Sequence, residues 1–302
     1  MGFGFYILTI RLGFYRLFFL QNKMKKLNTV PKIKNYATGQ SIRLSEKTME
    51  KREEVNTFLS GLGDVSLFIK QIFKETFTRR FEFKEFLRQC YEIGNKSLPL
   101  IIVTGAIMGI VFTIQSRPSL AKFGAETMLP GMVAVSIIRE IGPIITALIC
   151  AGKIGSGMGA ELGSMKVTEQ IDAMEVSATN PMKYLVVTRV IAATLMLPIL
   201  VLFADAFGIA GSWIGANIKG DVNIVLYFYQ AFAALDWMDF FPALIKTFFF
   251  GAVIGVTGCY KGYTAGRGTE SVGIAANSAV VISSLLVIIV DMIAVQITDM
   301  LL

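Results

Sequence analysis

Histidine is absent from this chain of 302 residues. Its absence removes Ser–His and Cys–His nucleophile pairs, histidine-ligated zinc and axial haem histidines in one step. Cysteine is scarce. Cys90, Cys150 and Cys259 are odd in number and far apart, so they suggest neither a disulfide framework nor a CxxC metal site. Acidic residues are missing from the N-terminal stretch, where Glu46 is the first. With no plausible nucleophile pair, an intramembrane enzyme is disfavoured, and neither a catalytic residue nor a metal ligand is expected.

What the chain has in abundance is apolar length. It is 54% hydrophobic with a mean hydropathy of +0.60, well inside the membrane-protein range. The net charge of +7 is uneven: residues 1–96 hold 18 of the 29 Lys and Arg and 9 of the 22 Asp and Glu. That part alone is +9 and the remainder is −2. A basic tail interleaved with Phe and Leu reads as a cytoplasmic membrane-surface segment drawn to anionic lipid, in preference to a nucleic-acid-binding arm. Residues 1–20 are aromatic and apolar but broken by Arg11 and Arg16, with no small-residue cleavage site after them, which argues against a signal peptide. Residues 1–57 are expected to form a poorly ordered basic extension to a membrane-embedded domain over 58–302. Within 58–93, Phe58, Leu62, Val65, Ile69, Ile72 and Phe73 recur at helical spacing among lysines and arginines, predicting one or two interfacial amphipathic helices.

Five hydrophobic runs follow, each near the roughly 20 residues that cross a bilayer. They cover 97–116, 127–152, 190–218, 240–260 and 274–297, with Pro198 as a candidate kink in the third. The fold class is therefore an all-α polytopic membrane protein: an N-terminal interfacial helix, five transmembrane helices and a cytoplasmic helix between the second and third. Cations set the orientation. The tail, the 153–189 loop and the 261–267 loop carry 18, 4 and 2 Lys or Arg, against three (Arg117, Lys122, Lys219) on the other side. The N-terminus is expected inside and the C-terminus outside.

The second and third runs are separated by a polar stretch from Ala151 to Pro181. It begins as a glycine-dense turn, with Gly152, Gly155 and Gly159 as hinge candidates, and continues as a helix over 160–178. On a helical projection Glu161, Glu169, Asp172 and Glu175 fall on one side, and Val167, Ile171, Met174 and Ala178 on the other. Such a helix is either an ordinary surface helix or a lever that fits a groove on a partner. Lys153 does not belong to a phosphate loop: Ala147 and Ile154 stand where that pattern needs Gly and Ser or Thr. Any energy for work would come from another subunit.

Four charges lie inside the apolar runs: Arg139, Glu140, Lys246 and Asp291. An ionised group at the bilayer centre costs at least about 2.5–3.5 kcal/mol, so these should face protein or a wet cavity, in pairs. They either line a route for a charged headgroup or form a structural ion-pair network. Pro143, three residues after Glu140, marks a weak point in the helix. Asp205 is a further carboxylate in the third run.

Arg139-Glu140-Ile141-Gly142-Pro143, Ala151-Gly152-Lys153-Ile154-Gly155-Ser156, Ala160-Glu161-Leu162-Gly163-Ser164-Met165 and Thr168-Glu169-Gln170-Ile171-Asp172-Ala173-Met174, with Pro181, resemble the MlaE/YrbE permease family over about residues 60–302. Gly262-Tyr263, Glu270 to Gly273, Ala279 to Ser284 and Asp291 also match. These permeases are membrane subunits of ABC transporters that move phospholipids between bacterial inner and outer membranes. The resemblance implies a homodimer, a cytoplasmic ATPase dimer that binds ATP and Mg in place of this chain, and an MCE-domain protein on the periplasmic side. It implies that Glu161, Met165, Glu169, Gln170 and Met174 couple to the ATPase, that lipid occupies a cavity between the permeases, and that Arg139, Glu140, Lys246 and Asp291 are the intramembrane charged set. It further implies the bacterial inner membrane as location. The alternative function is an ion-coupled secondary transporter or channel using Glu140 and Asp291.

Overall fold

Nine helices account for the regular structure among the described residues, which in this computed structural model are 61, 63–77, 81–218, 220 and 222–301. They are α1 (63–76), α2 (Phe83–Gly94), α3 (Leu98–Lys122), α4 (Glu126–Val167), α5 (Gln170–Val176), α6 (Met182–Asn217), α7 (Ile224–Ala233), α8 (Trp237–Tyr263) and α9 (Thr269–Leu301). No strand occurs among the described residues. Five helices, α3, α4, α6, α8 and α9, are long and apolar enough to cross a membrane, matching the five hydrophobic runs. The extension over 1–57 lies outside the described residues.

The expected interfacial region is two helices. In α1, Phe68 and Ile72 turn inward, Phe68 meeting the Tyr260 ring edge-on at 5.3 Å, while Leu67 and Phe73 stay exposed. Helix α2 buries Glu85, Gln89 and Ile93 and exposes Phe83, Leu87 and Tyr91. Both helices thus present one face to the bundle and a second apolar face away from it.

Helix α6 is the most buried of the five long helices and forms the centre, while α3 and α9 have their apolar sides turned outward. Small residues permit this packing, because apolar surroundings give helices little reason to associate beyond close van der Waals contact. A Cβ at Gly109 would stand 1.9 Å from Gly208 O, and one at Gly211 would stand 2.2 Å from Ala106 O, so α3 and α6 touch backbone to backbone. Pro198 lies inside α6, which continues as α-helix through it.

The short helix α7 is fixed by two devices. The Asn223 side chain caps its N-terminus by accepting from Val225 N and Leu226 N, and Tyr227 Oη donates to Ser212 Oγ of α6 at 2.9 Å. Helix α8 starts with a reciprocal capping box between Asp236 and Asp239.

Candidate functional site

The long helix α4 contains two widened π-turns, Ile137–Ile141 and Ala151–Gly155. The first immediately precedes Gly142-Pro143. Proline lacks the N–H that would bond four residues back, and a π-turn accommodates that loss while displacing the side chains ahead of it. The displaced residues include Arg139 and Glu140. Pro143 therefore sits buried beside a local widening of the helix.

Around this turn, three of the four sequence-identified charges meet. Lys246 Nζ of α8 donates to Glu140 Oε2 at 2.9 Å and lies 2.9 Å from Asp291 Oδ1 of α9. The second contact is an ion pair without hydrogen-bond geometry. The Lys246 and Asp291 side chains are 5% and 10% exposed, whereas Glu140 is 44% exposed. One ammonium thus stands against two carboxylates, tying α4, α8 and α9 together. Arg139 does not join them. It reaches Asp239 Oδ1 of the α8 capping box at 3.5 Å. Asp239 carried no sequence signal beyond its place at a helix start.

Asp205 of α6 is buried, and its Oδ1 has no hydrogen-bond partner. It packs against Gly142, where a Cβ would fall 1.7 Å from that oxygen; only glycine leaves room.

At the end of the bundle that bears α5, the expected single helix over 160–178 is broken. Helix α4 ends at Val167, Glu169 adopts a left-handed backbone (φ 57°), and α5 restarts at Gln170 before Ala178 turns left-handed again (φ 59°). A left-handed non-glycine residue is unfavourable by roughly 1–2 kcal/mol, and here it interrupts the helix between Val167 and Gln170. One continuous projection therefore does not describe the segment. Within α5, Ile171 is fully buried and Met174 half-buried against the protein's own core, with Met165 packed there too. Asp172, Ala173, Glu175 and Val176 form the outer face, with Glu169 and Gln170 exposed at its entrance. A Lys166–Asp172 bridge at 2.8 Å spans the break.

Glu161 points elsewhere. Its carboxylate takes Arg189 Nη2 of α6 at 2.9 Å, and Arg189, 2% exposed, also donates to Leu185 O. These two residues line a cleft of about 480 Å³ with Glu85, Met165, Gln170 and Tyr184. Arg189 is the functional candidate that sequence reasoning passed over, since a cation at the edge of an apolar run resembles any loop charge.

The stretch expected to be a glycine-dense turn is helical. Gly155 and Gly159 are contact points: a Cβ at Gly159 would lie 3.2 Å from Ala275 O of α9, and one at Gly155 3.4 Å from Ser283 Oγ. Gly152 faces open space. Gly159 is closed in by α9 and Gly155 stands at ordinary contact distance from it, an arrangement that a pattern of Gly alone does not distinguish from a turn. Lys153 Nζ donates to Lys96 O, tying the second π-turn of α4 to the segment between α2 and α3.

Comparison with known proteins places this geometry in context. The profile of the family described as Permease MlaE matches residues 86–297. A probable ABC transporter permease protein of Rickettsia typhi is 40% identical over 203 residues, 67% of this chain and 78% of the relative. A protein of the same description from Synechocystis is 36% identical over 219 residues, 72% of this chain and 83% of its own. The chloroplastic protein TRIGALACTOSYLDIACYLGLYCEROL 1 of Arabidopsis thaliana is 35% identical over 212 residues, 70% and 61% of the two chains.

Proposed function

This chain belongs to the MlaE permease family, and from that premise we propose that it is the membrane-embedded subunit of an ABC transporter moving phospholipids between inner and outer membranes. A homodimer of the chain would work with a cytoplasmic ATPase dimer, which holds ATP and Mg, and with an MCE-domain protein on the opposite side. The location is the bacterial inner membrane, N-terminus inside, as the distribution of Lys and Arg favours. Lipid as cargo is supported by the family and by a plant relative whose name contains a glycolipid.

The observation that carries the coupling role is α5. It is held between two left-handed turns, anchored inward by Ile171 and Met174, and braced by Lys166–Asp172, so its outer face is presented rigidly. ATP can shift the permease between conformations only through contacts that differ between them, and a braced outer helix supplies such a handle. The ion-coupled alternative is weakened by Lys246, whose ammonium already occupies the space between both carboxylates that would carry the ion.

Co-purification tests the reading. Detergent-solubilised protein should retain an ABC ATPase, and Glu169→Lys, which reverses charge without changing the backbone demand, should abolish that retention while leaving the permease folded. Ion-gradient-driven uptake into liposomes containing this chain alone would overturn it.

A further inference from the structure

Arg189 and Glu161 make an ion pair that stops short of what the two side chains can form. The Glu161 carboxylate stands 2.9 Å from Arg189 Nη2, while Nη1 donates to Leu185 O within the widened first turn of α6. Nε, on the same edge of the guanidinium as Nη2, is buried and has no hydrogen-bond partner. A carboxylate that serves Nη2 and Nε together closes a two-bond fork, the strongest form of this contact. Here the fork is half closed. Glu161 has room to close it, because its side chain is 53% exposed and borders the cleft of about 480 Å³ beside Ser164 and Gln170. Arg189 has no such room, being buried and bonded to its own helix.

The pair joins the segment that carries α5 to the middle of the bundle. Glu161 lies on the last turns of α4, which end at Val167 just ahead of α5. Arg189 stands near the start of α6, the central helix. Both helices lean on glycines of α8: a Cβ at Gly262 would stand 2.7 Å from Leu162 Cβ, and one at Gly255 3.0 Å from Val190 Cα. The ion pair spans from α4 to α6, and parting it would leave a buried guanidinium uncompensated. A conformational equilibrium responds to ATP only where a contact differs between its two states, and a fork that is half closed in one and closed in the other is such a contact. Resting on the ATPase-coupling reading above, we infer that Arg189 is a positioning residue that transmits movement of α4 and α5 to α6 through its fork with Glu161.

The test uses the full chain with its co-purified ATPase, reconstituted in liposomes, and reads the amount of acyl-labelled phosphatidylethanolamine transferred per ATP hydrolysed. Arg189→Lys keeps the cation but removes the Nε–H, and Arg189→Met removes the pair while leaving Glu161 within reach of water. In both variants the ratio falls about ten-fold, the value of one charge-assisted hydrogen bond made in one conformation and not in the other. A merely structural residue would lower the yield of folded complex and leave the ratio unchanged. A wild-type ratio in Arg189→Met, or failure of both variants to fold, therefore overturns the transmission role and leaves the coupling reading standing. A wild-type ratio in Arg189→Lys alone overturns the fork, since charge without Nε–H would then suffice. Wild-type protein that retains no ABC ATPase overturns the coupling reading, and the role of Arg189 with it.

Discussion

Removing the Lys246 ammonium is the sharpest perturbation this structure offers. At 2.9 Å from each of two carboxylates, each contact carries about 6 kcal/mol of attraction at an effective dielectric of about 20, before desolvation is charged against it. Desolvating the ions consumes much of that, so the net worth of the cluster is small, but breaking it is not. Lys246→Met leaves Asp291, 10% exposed, as an uncompensated buried carboxylate facing Glu140; the expected loss is about 3–5 kcal/mol. Asp291→Asn keeps the Lys246–Glu140 pair and should cost about 1–3 kcal/mol. Glu140 is 44% exposed and screened, so Glu140→Gln should cost below about 1 kcal/mol. Thermal midpoints in detergent, followed by size-exclusion fluorescence, should therefore fall in that order, with Lys246→Met lowered by about 10 °C. The triple variant Lys246→Met, Glu140→Gln, Asp291→Asn removes all three charges and should recover most of the lost stability. Transport that stays lost in the stable triple variant assigns the charges a role in lipid passage; transport that returns makes them structural. Wild-type stability of Lys246→Met alone, or a larger loss from Glu140→Gln than from Asp291→Asn, would refute the reasoning.

Two further outcomes follow from contacts elsewhere. Gly109→Ala drives a methyl into Gly208 O and should prevent accumulation of folded protein, whereas Gly152→Ala, with open space around it, should raise the midpoint by up to about 1 kcal/mol equivalent; expression and melting of the two variants check this. In the Arg189–Glu161 pair the exposed partner is the costlier one to remove, because Glu161→Ala strands a guanidinium that is 2% exposed while Arg189→Met frees a carboxylate that water can reach; equal melting of the two single variants would contradict it.

The apolar runs could be read directly because a bilayer demands about 20 apolar residues per crossing, a property of local composition. All five appeared as helices, with ends extended into the polar segments that composition leaves undecided. The inward face of α5 was also legible, since Ile171 and Met174 are close enough in sequence for periodicity to group them. The break at Glu169 was not, because a left-handed residue needs no glycine when its surroundings over-determine the turn.

What the sequence determined by itself was the number of crossings and the presence of charges inside them. The tertiary structure alone decided which charges meet. Glu140, Lys246 and Asp291 are separated by 106 and 45 positions yet share one contact, while Arg139, adjacent to Glu140, turns to Asp239. Neighbours on a helix point about 100° apart, so adjacency in sequence separates their partners. Proximity across helices is set by where small residues let the backbones close, as at Gly109 against Gly208.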